Sequence, residues 1–260
     1  TFNFEKCIDA SPTISISKLL NHLEYSCFIG SHSSLFMSIN ISKKILNWKV
    51  SLHDRIEGSA CLSLCGKYVV VGCYDHYVYT LSADDGKIIW KFKTKDIVKC
   101  TPVVDPNSGH IWFGGYDKTL YEINIDNKEL IGMFNTNGSI LASPVIDSDR
   151  KILYCCNLKG ELFSINKDKI IHYSCKWIYN TEDNKPIFTT PQLSCNGNFI
   201  YMGCVDGFVY CINTFKGELV WKFDTGGPIF SSPCLFNNDL NLVIGSHSNN
   251  IFCINTQPGE

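Results

Sequence analysis

Fourteen cysteines, seven histidines and a recurring aspartate are the residues of this 260-residue chain that could do chemistry. Cysteines spaced C-x-x-C would hold zinc or cycle between thiol and disulfide. The sequence has no such pair. His32 and His247 each sit in a Ser-His-Ser triplet, and together they could offer imidazole nitrogens to one metal. The same place elsewhere in the chain accepts Tyr74, Tyr116, Asn157 and Val205, so both read as surface histidines. Asp75, Asp117 and Asp206 recur at one position of a turn, where an aspartate can bond its own backbone. A catalytic group would occur once, so this column reads as structural. No Ser-His-Asp or Cys-His set can be assigned from spacing. No residue is therefore expected to be catalytic, cofactor-binding or metal-ligating.

The elements that carry these residues repeat. A small-residue column runs Gly30, Gly72, Gly114, Cys155, Gly203 and Gly245, with steps of 42, 42, 41, 48 and 42. An aromatic column runs Phe36, Tyr79, Tyr121, Phe163, Tyr210 and Phe252, and a third runs Pro12, Ala60, Pro102, Pro144, Pro191 and Pro233. Trp48, Trp90, Gly132, Trp177 and Trp221 form a fourth. Four columns with one period mark an internal repeat. The long step implies a short insertion around residues 168–187. Cys73, Cys156 and Cys204 align with Ser31, Gly115 and Ser246, a column that asks for a small side chain rather than a bridge. The cysteines are expected to be free thiols.

Each unit contains four short β-type runs. In the second they are Ser59–Ser63, Tyr68–Gly72, Tyr77–Leu81 and Ile88–Phe92, separated by turn residues such as Asp84-Asp85-Gly86. Val69-Val70-Val71 reads as a strand buried on both faces. The fold class is all-β: a β-propeller of six four-stranded blades, either complete or an incomplete part of a larger ring. The repeats span about residues 5–52, 53–94, 95–136, 137–181, 182–225 and 226–260. The last stops before a fourth run, and Thr1-Phe2-Asn3-Phe4 could supply that strand by pairing antiparallel with Ile251–Ile254. The recurrent Trp should pack between blades and contribute roughly 1.5–3 kcal/mol or more at each site.

Composition narrows the partners. The net charge of -2 argues against a nucleic-acid surface. Nothing approaches the ~20 apolar residues of a membrane span. The first residues show no basic segment followed by an apolar one, and no initiator Met, so the chain reads as a cytoplasmic excerpt of something longer. It is expected to be monomeric, with a protein or carrier domain as partner.

The repeats carry a resemblance. Ser231-Ser232-Pro233, Gly203-Cys204-Val205-Asp206-Gly207 and Gly217 through Trp221-Lys222-Phe223-Asp224-Thr225 resemble pyrroloquinoline-quinone-like propeller repeats. The segments Asp54–Cys61, Tyr68–Tyr74 and Gly226–Cys234 closely resemble the C-terminal propeller of the β-alanine-activating enzymes, in the acyl-CoA synthetase family. Lys6–Pro12 resembles the first repeat of that propeller. The resemblance implies a non-catalytic module that docks a protein or carrier. It would follow an adenylation domain using ATP and a phosphopantetheine carrier domain, neither of which maps onto this chain. Enzymes that bind the quinone resemble one another in a calcium site, a catalytic Asp and a vicinal disulfide. Cys155-Cys156 could stand for that disulfide, but adjacent strand residues point to opposite faces and the pair reads as packing. A quinone-dependent oxidoreductase and a free-standing scaffold are the alternative readings.

Overall fold

The computed structural model describes residues 1–19, 22–167 and 173–257. They form six sheets, each a run of consecutive antiparallel strands in chain order. The first holds β1 (Thr13–Leu19), β2 (His22–Gly30), β3 (Leu35–Asn40) and β4 (Ile45–Ser51). The second holds β5 (Cys61–Leu62), β6 (Tyr68–Gly72), β7 (Tyr77–Ser82) and β8 (Ile88–Lys93), and the third β9 (Val103–Val104), β10 (Ile111–Gly114), β11 (Thr119–Asn124) and β12 (Glu129–Asn135). The fourth holds β13 (Val145–Asp147), β14 (Ile152–Cys156), β15 (Glu161–Asn166) and β16 (Ser174–Asn180). The fifth holds β17 (Gln192–Leu193), β18 (Phe199–Gly203), β19 (Phe208–Asn213) and β20 (Leu219–Asp224). The sixth has three strands, β21 (Cys234–Phe236), β22 (Asn241–Ser246) and β23 (Asn250–Asn255). The chain divides into two compact units, residues 1–131 and 132–260. No helix among the described residues is long and apolar enough to cross a membrane.

The middle strands carry the core. Val69, Val70 and Val71 in β6 are fully buried, as an uninterrupted apolar strand between two packed faces must be. The last strands are mostly exposed or half-buried instead, with Trp48 of β4 buried. Strands two and three agree closely with the runs read from the sequence. β5 and β21 start later than the first runs read there, because the residues leading into them form loops that set Ile56 and Ile229 against the preceding sheet.

That plug explains the glycine column. The amide of Ile56 donates to Ser31 O at 3.0 Å, Val98 to Cys73 O at 3.3 Å and Ile229 to Cys204 O at 3.1 Å. Each bond drives the aliphatic side chain against the preceding sheet. A methyl on Gly72 would lie 2.5 Å from Val98 Cγ1, and one on Gly30 or Gly203 would overlap Ile56 or Ile229. The pairing of Cys156 with Leu162 matches that of Gly72 with Val78, so Cys156, not Cys155, occupies the glycine place in the fourth sheet. The column as read from the sequence is out by one there, and Asn157 stands where Cys73 and Cys204 stand elsewhere.

The Trp column performs a second join. Trp48 Nε1 donates to Ala83 O at 2.9 Å, Trp177 to Thr214 O at 2.9 Å and Trp221 to Thr256 O at 3.1 Å, each reaching the next sheet. The indoles of Trp48 and Trp177 lie on Gly86 and Gly217, leaving no room for a side chain. At Gly132, the exception in the column, the Tyr173 ring occupies the space over the glycine.

Two expectations are corrected. Residues 1–4 form no strand, and the sixth sheet keeps three strands among the described residues. Glu5 turns the chain at φ 64°, its amide held by Asn3 Oδ1 at 2.8 Å. Phe4 O accepts from Lys6 N at 2.7 Å and from Ser33 Oγ at 2.5 Å. These local bonds take the polar groups a ladder would need. The insertion is shared between the longer β15–β16 connection and a 3-10 turn at Glu182–Asn184. Its portion at 168–172 lies outside the described residues.

Candidate functional site

The recurring aspartates act within their own turns. Asp117 Oδ1 accepts from Thr119 N at 3.1 Å and Asp206 Oδ1 from Phe208 N at 2.9 Å. Their second oxygens accept from Tyr121 and Tyr210 hydroxyls, each at 2.6 Å. Asp75 bonds Tyr77 N and the Tyr79 hydroxyl in the same way. Burial, and then the bond to the aspartate, push these tyrosines above the usual phenol range. Both carboxylate oxygens are thus engaged by the turn that carries them.

A single-copy cluster forms in the first unit. The residue before each small-Ser/Thr-Pro segment, Gly58-Ser59-Ala60 in the second repeat, is Asp9, Glu57 and Lys99 in the first three repeats, and Leu141, Phe188 and Phe230 in the last three. The loops entering β1, β5 and β9 carry the three charged residues. Turn amides hold those loops: His32 N donates to Cys7 O at 3.0 Å and Tyr74 N to Arg55 O at 3.1 Å. His32 and Tyr74 are thereby set beside Asp9 and Glu57.

Glu57 is the centre, its side chain 7% exposed. Oε2 accepts from Tyr74 Oη at 2.5 Å and lies 3.0 Å from Lys99 Nζ. Oε1 lies 3.3 Å from Arg55 Nε and 3.5 Å from His32 Nε2. Burial pushes the Glu57 carboxyl upward. The bonds from Tyr74 and Lys99 and the charges of Lys99 and Arg55 outweigh it and leave the group below its usual range. The Arg55 guanidinium stacks on Tyr74, 4.1 Å from the ring centroid. Asp9 Oδ2 lies 3.0 Å from His32 Nε2, and Cys7 Sγ donates to Asp9 Oδ1 at 3.2 Å. That thiol bond, then His32, lowers Asp9, and the carboxylate in turn raises Cys7.

Asp9, His32 and Glu57 bring one potential ligand atom each within 4.8 Å of the others. The donor set fits a divalent cation in type but not in charge. A cation bound to Glu57 would face Lys99 and Arg55, both already fixed on that carboxylate. Beside the cluster opens a pocket of about 520 Å³ lined by Lys6, His32, Asp54, Arg55, Tyr74, His76 and Ile97.

The other residues singled out from the sequence lie apart from this site. His247 packs against Phe230 within the second unit, ring centroids 4.8 Å apart, and Phe230 packs on Phe188 at 5.4 Å. Cys155 and Cys156 are fully buried, and none of the fourteen cysteines is in a disulfide. The Glu57 cluster escaped the sequence reading. Its signal was available as a column that changes from Asp, Glu and Lys to Leu, Phe and Phe.

Residues 4–260 match the family model described as "Beta-alanine-activating enzyme, beta-propeller". The chain belongs to that family. The fold is accordingly a β-propeller, and the six sheets are its blades. Among relatives, the human beta-alanine-activating enzyme is 41% identical over 78 residues, 30% of this chain and 7% of that protein. The mouse enzyme is 38% identical over 65 residues, 25% of this chain and 6% of that protein. The Drosophila melanogaster enzyme is 28% identical over 102 residues, 39% and 9%. The matched stretches thus span less than a tenth of these relatives. In this family member the charged Glu57 cluster belongs to blades one to three.

Proposed function

We propose that this chain is the propeller part of an ATP-dependent enzyme that activates β-alanine or a related amino acid, and that it docks a carrier domain or protein partner without performing the chemical step. The observation that carries this reading is the family match over residues 4–260, joined to relatives named for β-alanine activation. The engagement of Asp75, Asp117 and Asp206 by their own turns supports it, since the repeated carboxylates hold the scaffold. ATP and phosphopantetheine would belong to other domains of such an enzyme, and this chain would need no cofactor of its own. A cytoplasmic setting is supported by fourteen cysteines that form no disulfide.

The reading is tested by titrating the chain with the enzyme's carrier domain, followed by amide chemical shifts, together with ATP–pyrophosphate exchange in the presence of β-alanine. Saturable binding and exchange at background are expected. Exchange above background from the chain alone, or no binding by any domain of the enzyme, would overturn it.

A further inference from the structure

Arg55 is held in place yet has spare donors. Its Nε faces the buried Glu57 carboxylate at 3.3 Å and its plane rests on Tyr74. No hydrogen bond from its two terminal nitrogens is found among the described residues. The side chain is 46% exposed and lines the 520 Å³ pocket. The fold does not require an arginine here, because the same loop position is Cys7, Ile97, Ser139, Pro186 and Pro228 in the other repeats. Lys6 and His76 line the same pocket, and both are exposed. One carboxylate, Asp54, also lines it, and its Oδ1 accepts the Arg55 backbone amide at 2.7 Å.

We propose that this pocket is a binding site for an oxyanion, the carboxylate or phosphate group of a ligand, received on the terminal nitrogens of Arg55 with Lys6 and His76 beside it. A guanidinium presents two parallel N–H donors that match either group, and such charge-assisted pairs are the strong ones. Most of the ordering cost of the arginine is already met by Glu57 and Tyr74, so less is lost on binding. Glu57 and Lys99 act through Arg55 as positioning residues. The site stands on blades one to three alone and goes beyond the docking reading, which can fail without it.

The test is a titration of the full chain with inorganic phosphate, and separately with propionate, at ionic strength held constant with chloride. The Arg55 Nε–Hε and His76 resonances are followed by NMR. Saturation near ~1 mM or below is expected for one of the two probes. Tighter phosphate binding assigns a phosphorylated ligand and tighter propionate binding a carboxylate. R55Q should weaken binding about tenfold or more, with R55K between it and the parent because a lysine lacks the fork. Should R55Q not fold, the surface variant K6Q/H76Q should still lose roughly two- to fivefold in affinity. No saturable binding of either probe, or parent-like affinity in the folded R55Q or in K6Q/H76Q, would overturn the site.

Discussion

Glu57 shows how a single buried carboxylate organises its surroundings. Two cations, a phenol and an imidazole converge on it. Replacing it by Gln leaves Lys99 and Arg55 without their counter-charge, at a cost of about 1–3 kcal/mol. Urea unfolding of E57Q at neutral pH should read that loss. The pH dependence follows from the direction of the shift. The folded-state pKa lies below the ordinary 4.5, so the stabilisation is complete above 4.5 and is lost as pH falls through the lower folded value. Below pH 4.5 the parent should lose stability more steeply than E57Q, and parallel acid profiles would contradict the assignment. Cysteine reactivity is a second residue-scale outcome. Cys65 is lowered by its bond to Ser63, whereas Cys7 and Cys195 are raised by Asp9 and Asp239. All three are exposed. Thiolate fraction sets alkylation rate, so Cys65 should be carbamidomethylated first in the native protein, followed by mass mapping. The structural part of Asp117 and Asp206 was legible in the sequence because it recurs. Glu57 was not, because His32, Tyr74 and Lys99 come from loops and turns about 20 to 40 residues away in the chain and no spacing rule joins them.

At the scale of the element, an aliphatic plug and an aromatic lid join neighbouring sheets, Ile56 and Trp48 the first two and Ile229 and Trp221 the last two. The glycines under these contacts differ in what they must avoid. Gly86 sits at φ 73° with Trp48 Cε3 2.6 Å from where a methyl would lie, while Gly66, at φ 69°, has open space around it. Gly66→Ala should cost only the left-handed backbone penalty, about 1–2 kcal/mol. Gly86→Ala carries the same penalty and in addition displaces the indole from Ala83 O, adding roughly 1–3 kcal/mol. Thermal or urea unfolding of the two variants should separate them by that margin, and equal losses would contradict the lid. Strand order and the positions of β6, β7 and β8 were legible because turn residues and apolar runs alternate there on a fixed period. The fourth repeat was misaligned by one residue because Cys155 and Cys156 are equally small, and only the strand register distinguishes them. The expected strand at residues 1–4 failed for a similar reason. Four alternating residues carry too little pattern to outweigh the turn that Asn3 and Glu5 make.

At the scale of the whole molecule, a repeated scaffold carries a site that breaks the repeat. Six sheets with the same strand order leave the pre-strand loop position free to vary, and the sequence uses it for Asp9, Glu57 and Lys99 in one unit and for Leu141, Phe188 and Phe230 in the other. The repeat and the family were readable from columns and motifs alone. What the propeller serves is not written in those columns, because they answer to packing. The proposed docking role is tested directly on the proposed parent enzyme, with the segment Thr1–Glu260 excised and its ends joined by a flexible linker. ATP–pyrophosphate exchange with β-alanine and transfer of the carrier-bound amino acid to its acceptor are measured side by side. Exchange is expected within about twofold of the intact enzyme, and transfer reduced roughly tenfold or more, as loss of a docking contact worth ~1.4 kcal/mol or more requires. Exchange lost together with transfer, or both unchanged, would contradict it.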